Sequence, residues 1–172
     1  AYLVVDEETG KTVAEKNASF QAPIASTTKM VTALAARNLV KNNPAVTVTK
    51  EAASMTGARA GLRIGEQYLF SDLIRAMLVR SANDAAAALA IASSGSRSAF
   101  IAEMNRWCAV HSLTGTRFAD PAGLSSQSVS SPAELVSITR EFLAVPEFES
   151  AASLNSYTLT STAGRSIPLK SL

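Results

Sequence analysis

"IASTTKMVTALAARNLV" (Ile24–Val40) is the stretch on which the reading of this chain turns. A serine and two threonines lead into one lysine, and beyond it Met30, Val31, Leu34, Ala35 and Val40 recur at helical spacing. Lys29 is the only cation of the segment before Arg37, and most of its helical neighbours are apolar. A lone cation at the start of a core-facing helix is either a solvated end residue or a group with chemistry to perform. Ser26 lies three residues before it, a spacing that puts both side chains on one helical face and within reach. In a first helical turn the unpaired N–H groups and the dipole favour negative charge on the Ser26 oxygen. Lys29, one turn inward, is placed to act as its base. Such a pair needs no histidine.

The chemistry is feasible only if the amine loses its charge. An ordinary Lys is neutral about once in 2,500 molecules at pH 7, a deficit of roughly 4.6 kcal/mol. Burial and neighbouring cations lower a Lys pKa by up to ~3–5 units, enough to close that gap.

Composition narrows the alternatives. The chain has 172 residues, 47% hydrophobic and 17% charged, which fits one folded domain with a real core. A net charge of +2, without a block of Lys and Arg, argues against nucleic acid or an anionic membrane as the main partner. The longest apolar run, "AAAALAIA" (Ala85–Ala92), falls far short of the ~20 residues of a membrane span. No basic and apolar leader stands at the amino end, so an exported form is expected to have lost its signal already. One cysteine, Cys108, excludes an internal disulfide; one histidine, His111, excludes an H-E-x-x-H metal site. Cys108 sits in "EMNRWCAVHSL", where a packed thiol is the better reading than a nucleophile. No metal or organic cofactor is expected.

Outward from the opening stretch, "YLVVDEETGKTVAEKN" reads as a hairpin turning at Gly10, with Asp6, Glu7 and Glu8 facing solvent. "VTVTK" and "GLRIGEQYLF" read as short extended segments. Ser71 is read as the cap of a helix "DLIRAMLVR", and "SANDAAAALAIASSG" as a second helix stopped by Gly95. "SRSAFIAEMNRWCAVHSL" is a third, amphipathic through Phe100, Ile101, Met104 and Trp107, with Trp107 in the core. After the polar loop "TGTRFADPAGLSSQSVS", Ser131-Pro132 opens a fourth helix, and the tail "SYTLTSTAGRSIPLKSL" alternates as strand, turn, strand. Strands, helices, then strands predict an α/β chain of the α+β type: an antiparallel sheet built from both chain ends, with an inserted helical lobe.

Neither short motif stands alone. With 22 Ser and 6 Lys, chance alone gives about 0.8 Ser-x-x-Lys matches, and one is present. With 7 Asn it gives about 0.9 Ser-x-Asn matches; Ser81-Ala82-Asn83 and Ser153-Leu154-Asn155 are present. Read singly, Ser81 and Asn83 suit capping at a junction of two helices.

The surroundings of these matches carry more. "APIASTTKMVTALAA", "GEQYLFSDLIRAMLVRSANDAAAALA" and "FIAEMNRWCAVHSLTGTRFADPAGLS", in that order, resemble the serine D-alanyl-D-alanine peptidases, the low-molecular-mass penicillin-binding proteins. The hairpin "YLVVDEETGKTVAEKNA" resembles their first hairpin, and the likeness runs from Tyr2 to about Leu172. S-x-x-K with a later S-x-N is the motif pair associated with such enzymes. The resemblance implies that Ser26 is the acylated nucleophile and Lys29 its proton acceptor. It implies that Ser81 relays a proton to the leaving amine and that Asn83 hydrogen-bonds the substrate backbone. Ser153-Leu154-Asn155 falls outside the motif positions. The implied activity is a serine-type D-Ala-D-Ala carboxypeptidase acting on peptidoglycan stem peptides outside the cytoplasm, in the periplasm or at the cell surface, with β-lactams as inhibitors. A cross-link endopeptidase, a serine β-lactamase and a non-catalytic peptidoglycan- or partner-binding relative are the alternatives, in that order.

The family's Lys-Thr-Gly strand has no counterpart; the last lysine, Lys170, lies in "IPLKSL". The expectation is one peptidase domain over residues 1–172, truncated on its carboxy-terminal side, or completed by a second polypeptide, or degenerate. Asp120, Pro121 and Gly123 are read as an Asp-Pro turn with a left-handed glycine and no catalytic role. Arg59 and Arg63 are read as solvated charge.

Overall fold

The first turn shows how local the chain's punctuation is. Asp6 accepts hydrogen bonds on Oδ1 from the Thr9 amide (2.7 Å) and hydroxyl (2.6 Å), and Gly10 takes φ +69°. The turn joins β1 (Tyr2–Val5) to β2 (Thr12–Lys16), paired antiparallel with Tyr2 opposite Lys16. The computed structural model describes residues 1–172. Next come β3 (Ala22–Pro23), a 3₁₀ turn (Ala25–Thr27), α1 (Thr28–Leu39), β4 (Ala45–Thr47), α2 (Lys50–Ala53) and β5 (Gln67–Leu69). The helical lobe continues with α3 (Phe70–Arg80), α4 (Asn83–Ser94) and α5 (Arg97–Val110). The chain closes with β6 (Val129–Ser130), α6 (Pro132–Leu143), α7 (Pro146–Ala152), β7 (Ser156–Thr160) and β8 (Ser166–Lys170).

α4 is the centre of the lobe because its side chains are small. Ala85, Ala86, Ala87, Ala88 and Ala90 are all buried, which lets neighbouring backbones come close. The helix packs against α1, α2, α3, α5 and β4. Val31, Leu73, Met77, Phe100 and Met104 fill the space around it, together with Leu89 of the helix itself. Gly95 ends α4 at φ +77°, and Ser96 caps α5 by accepting from the Ala99 amide. Pro132 opens α6 behind Ser131, whose hydroxyl accepts from the Glu134 amide at 3.3 Å. α3 differs from expectation: Ser71 lies inside its first turn, and its amide donates to Asn43 Oδ1 at 2.7 Å. The cap comes from a residue 28 positions upstream, beyond any local pattern.

The mixed α/β class holds, with the helices inserted between hairpins, but the two chain ends do not pair with each other. Four separate two-stranded antiparallel sheets form: β1–β2, β3–β6, β4–β5 and β7–β8. β1 packs on α6, whereas β7 and β8 pack on α3. The second hairpin is drawn there by its turn. Arg165 donates to Glu66 Oε2 (2.7 Å) and to the Gly61 carbonyl, and the Thr162 amide donates to Gln67 O (2.8 Å). Alternation reveals a strand; it does not reveal the strand's partner.

The short β3–β6 pairing sets the position of α1. Ala22 lies opposite Ser130, and the Ile24 amide donates to Ser128 O at 3.2 Å. The start of the helix is thereby pinned beside the loop that precedes β6.

Ala87 has no solvent exposure and every side of α4 is occupied, so Ala87→Leu overfills the lobe. A loss of about 1–3 kcal/mol is expected, read as a lower urea midpoint at unchanged slope.

Candidate active site

Ser26 sits in a turn that the chain does not adopt unaided. Ala25, immediately before it, takes φ +46°, a left-handed conformation that costs a residue with a Cβ about 1–2 kcal/mol. Three contacts impose it. The Thr27 hydroxyl donates to Ile24 O (2.6 Å), the Ile24 amide is tied to Ser128, and Gly123 lies against the Ala25 carbonyl. A Cβ on Gly123 would stand 1.8 Å from Ala25 O, and Gly123 is itself at φ +78°. The turn presents Ser26 at the surface while Lys29, in the first turn of α1, is only 3% exposed. Lys29 Nζ lies 3.2 Å from Ser26 Oγ and 2.6 Å from Ala122 O. The expected one-face pairing of Ser26 and Lys29 is therefore present in the geometry.

Burial is what changes the amine. It brings the Lys29 pKa down to about 8, against the opposing pull of the Asp120 carboxylate. At pH 7 about one amine in ten is then neutral, and removing its proton costs ~1.4 kcal/mol rather than nearly 5. A neutral amine keeps N–H groups for Ala122 O and turns its lone pair to the Ser26 hydroxyl. Asp120 stays charged for a different reason. Burial works against its charge, but the amides of Ser125 (2.8 Å), Leu124 (3.0 Å) and Ala122 (2.8 Å) outweigh it and hold the carboxyl below its usual range.

Ser81 terminates α3 in the left-handed region, at φ +54°. It lines one cleft of about 240 Å³ with Ser26, Lys29, Met30, Met77 and Phe142. No hydrogen bond joins it to Ser26 or Lys29. Asn83 begins α4, is 3% exposed and does not line this cleft. Its Nδ2 donates to Thr56 O (2.7 Å) and its amide to Ala58 O (2.8 Å). Gly57 makes that possible, since a Cβ there would come 2.9 Å from Asn83 Nδ2. The structure thus gathers Ser26, Lys29 and Ser81 around one cleft and sets Asn83 beside the Thr56–Ala58 segment.

Sequence reasoning missed the loop that supports the pair. Gly123 is the left-handed glycine expected, yet Asp120, Pro121, Ala122 and Gly123 all act on the site. Pro121 O accepts from the Thr32 hydroxyl (2.6 Å), Ala122 O takes the Lys29 amine, and Asp120 organises the turn between them. Backbone carbonyls leave no trace in residue identity; only Gly123 could have flagged the close approach. The other residues fall as read. Cys108 is buried, its thiol pushed up to about 12 by burial and then by the Glu134 charge. His111 stacks on Trp107 at 3.9 Å, away from the cleft. Arg59 and Arg63 make no ion pair. Asn155 serves the base of β7–β8, where its carbonyl accepts from the Ser171 amide.

A surface serine with a buried amine in bonding reach is the geometry that nucleophilic catalysis by a Ser–Lys pair requires. Residues 1–167 match the peptidase S11 family, described as D-alanyl-D-alanine carboxypeptidase, and the chain belongs to that family. A D-alanyl-D-alanine endopeptidase of Pseudomonas aeruginosa is 33% identical over 135 residues, 77% of this chain and 44% of that protein. The D-alanyl-D-alanine carboxypeptidase DacF of Bacillus subtilis is 29% identical over 147 residues, 82% of this chain and 38% of its own length. The crystal structure of a D-alanyl-D-alanine carboxypeptidase from Mycobacterium tuberculosis superposes with a TM-score of 0.89 at 27% identity, over 98% of this chain and 64% of that one. This chain spans less than half the length of either sequence relative.

Two measurements check the geometry. Carbon-detected NMR titration of the lysine Cε resonances should give Lys29 a midpoint about 8, well below the ordinary lysine value of about 10.4. Gly123→Ala should destabilise the fold by roughly 2–4 kcal/mol, since both the contact with Ala25 and the backbone conformation oppose a side chain; an unfolding midpoint equal to the parent's would contradict the contact.

Proposed function

We propose that this chain carries the acylation machinery of a serine-type D-Ala-D-Ala carboxypeptidase acting on peptidoglycan stem peptides. The observation that carries the reading is the amine of Lys29, buried and 3.2 Å from Ser26 Oγ. Neutral Lys29 takes the hydroxyl proton as Ser26 Oγ bonds to the carbonyl carbon of the penultimate D-Ala. The scissile C–N bond then breaks, and a proton passed from Lys29 by way of Ser81 goes to the departing amine, giving D-Ala and an ester on Ser26. Water cleaves the ester and restores the hydroxyl. Asn83 holds the backbone of the peptide. β-Lactams enter the same route, because their strained amide places a carbonyl where the peptide's would be. No metal or organic cofactor has a part in it.

Stem peptides lie outside the cytoplasm, and the protein is assigned to the periplasm or cell surface on that ground. No single helix is long and apolar enough to cross a membrane. The domain is read as residues 1–172, to which further residues of the same protein or a second polypeptide would add. The free outer edge of β1 and the half-exposed Tyr2 and Val4, beside a cleft of about 610 Å³ between β1 and α6, are where either would pack. A cross-link endopeptidase is the second reading, favoured by the name of the Pseudomonas aeruginosa relative; the two differ only in which amine leaves.

Exposure to a labelled penicillin followed by peptide mass spectrometry tests the proposal. Label is expected on Ser26, absent in Ser26→Ala, and slowed at least ~10³-fold in Lys29→Met, the usual scale for loss of a base that acts with its nucleophile. The labelling rate should rise about tenfold per pH unit up to about 8 and level off above it, because the deprotonated amine is the active form and its folded-state pKa is depressed. A rate flat from pH 6 to 8 would exclude Lys29 as the base.

A further inference from the structure

Asn83 and the residue after it bind two neighbouring parts of one loop. Asp84 is 1% exposed and forms no ion pair. Its carboxylate is instead filled by backbone amides. Oδ1 accepts from Ala60 (2.9 Å) and Ala85 (3.0 Å), and Oδ2 from Gly61 (2.9 Å) and Leu62 (3.0 Å). Three of these donors belong to the segment Ala60–Leu62, just after the one that holds Asn83. Thr56 O takes the Asn83 carboxamide, Ala58 O takes its amide, and Gly57 vacates the space between. The loop 56–62 is therefore gripped at one end by Asp84 and grips Asn83 at the other. One N–H of Nδ2 is committed to Thr56 O, and no group of the chain donates to Oδ1, so the oxygen of this nearly buried carboxamide keeps its acceptor capacity for an N–H.

We propose that Asp84 is a positioning residue for the site: through the loop 56–62 it fixes which end of the Asn83 carboxamide meets a bound peptide. This role rests on the reading of Asn83 as the substrate-binding residue. Its chemistry is specific to a carboxylate. Four N–H groups need four acceptor positions on two oxygens, and a carboxamide has one oxygen and two donors of its own. In Asp84→Asn, two backbone amides face an NH₂ group whichever way the side chain turns. The segment Ala60–Leu62 then lifts, Thr56 O moves off Nδ2, and the carboxamide is free to rotate. Charge adds to the effect, since Asp84 lies in the first turn of α4 where the helix dipole favours an anion.

The first test needs no activity. Hydrogen exchange of the Asn83 side-chain NH₂, followed by NMR on the full chain, should be slow in the parent and at least tenfold faster in Asp84→Asn. The Lys29 titration midpoint should stay where it is, because the Lys29 contacts lie on another loop. The second test couples the residues through acylation by a labelled penicillin and by a synthetic acyl-D-Ala-D-Ala peptide. Asp84→Asn and Asn83→Ala should each slow peptide acylation about tenfold through KM, and Asp84→Asn should add nothing in the Asn83→Ala background. Equal exchange in parent and variant, or a full additional loss in the double variant, overturns the proposal. If Asp84→Asn fails to fold, Gly57→Ala gives the same readouts by pushing on Asn83 Nδ2 directly, and unchanged exchange there overturns it equally. Should the parent show no acylation at all, the catalytic reading fails while the exchange data still decide the role of Asp84.

Discussion

One amine kept out of water sets the terms for the rest of the molecule. Holding Lys29 at a pKa about 8 instead of 10.5 disfavours the folded state by roughly 3 kcal/mol at neutral pH, because the unfolded chain retains the proton more tightly. The sign comes from the depressed value: the fold recovers this loss as pH rises from about 8 to 10.5, and below 8 the loss is constant. The close-packed lobe around α4 and the carbonyl of Ala122 are what offset it. An amine that cost nothing to bury would also be an ordinary, fully protonated one.

Two carboxylates, Asp120 half-buried and Asp84 fully buried, organise two separate loops in the same way. Asp120 gathers the amides of Ala122, Leu124 and Ser125, so that the Ala122 carbonyl faces Lys29. Asp84 gathers Ala60, Gly61 and Leu62, so that the preceding carbonyls face Asn83. In both cases a charge satisfied by backbone N–H groups fixes an irregular loop that no regular ladder would hold. This accounts for how irregular loops, rather than helices alone, can hold the Lys29 and Asn83 side chains firmly.

What was legible in the sequence was whatever is decided within one turn of helix. The Ser26–Lys29 spacing, the Gly95 stop, the Ser131-Pro132 start and the apolar face of α1 were all visible, because each depends on neighbours three or four residues away. The order of motifs made the family resemblance visible over the whole chain. Hidden was whatever depends on a distant partner: the Asn43 cap of α3, the separate homes of the two hairpins, and the carbonyls of Pro121 and Ala122. The last pair illustrates the limit best, since any residue supplies a carbonyl. Asp120 and Gly123 were visible as turn formers, and turn formers they are; their consequence for Lys29 appears only once the loop is laid against α1.

The contact between Gly123 and the Ala25 carbonyl has a kinetic meaning as well. The strained turn bearing Ser26 cannot persist on local forces, and the surface that imposes it arrives from nearly a hundred residues further along the chain. The turn at position 26 is thus completed only when the distal loop docks, however early the helix that follows it forms.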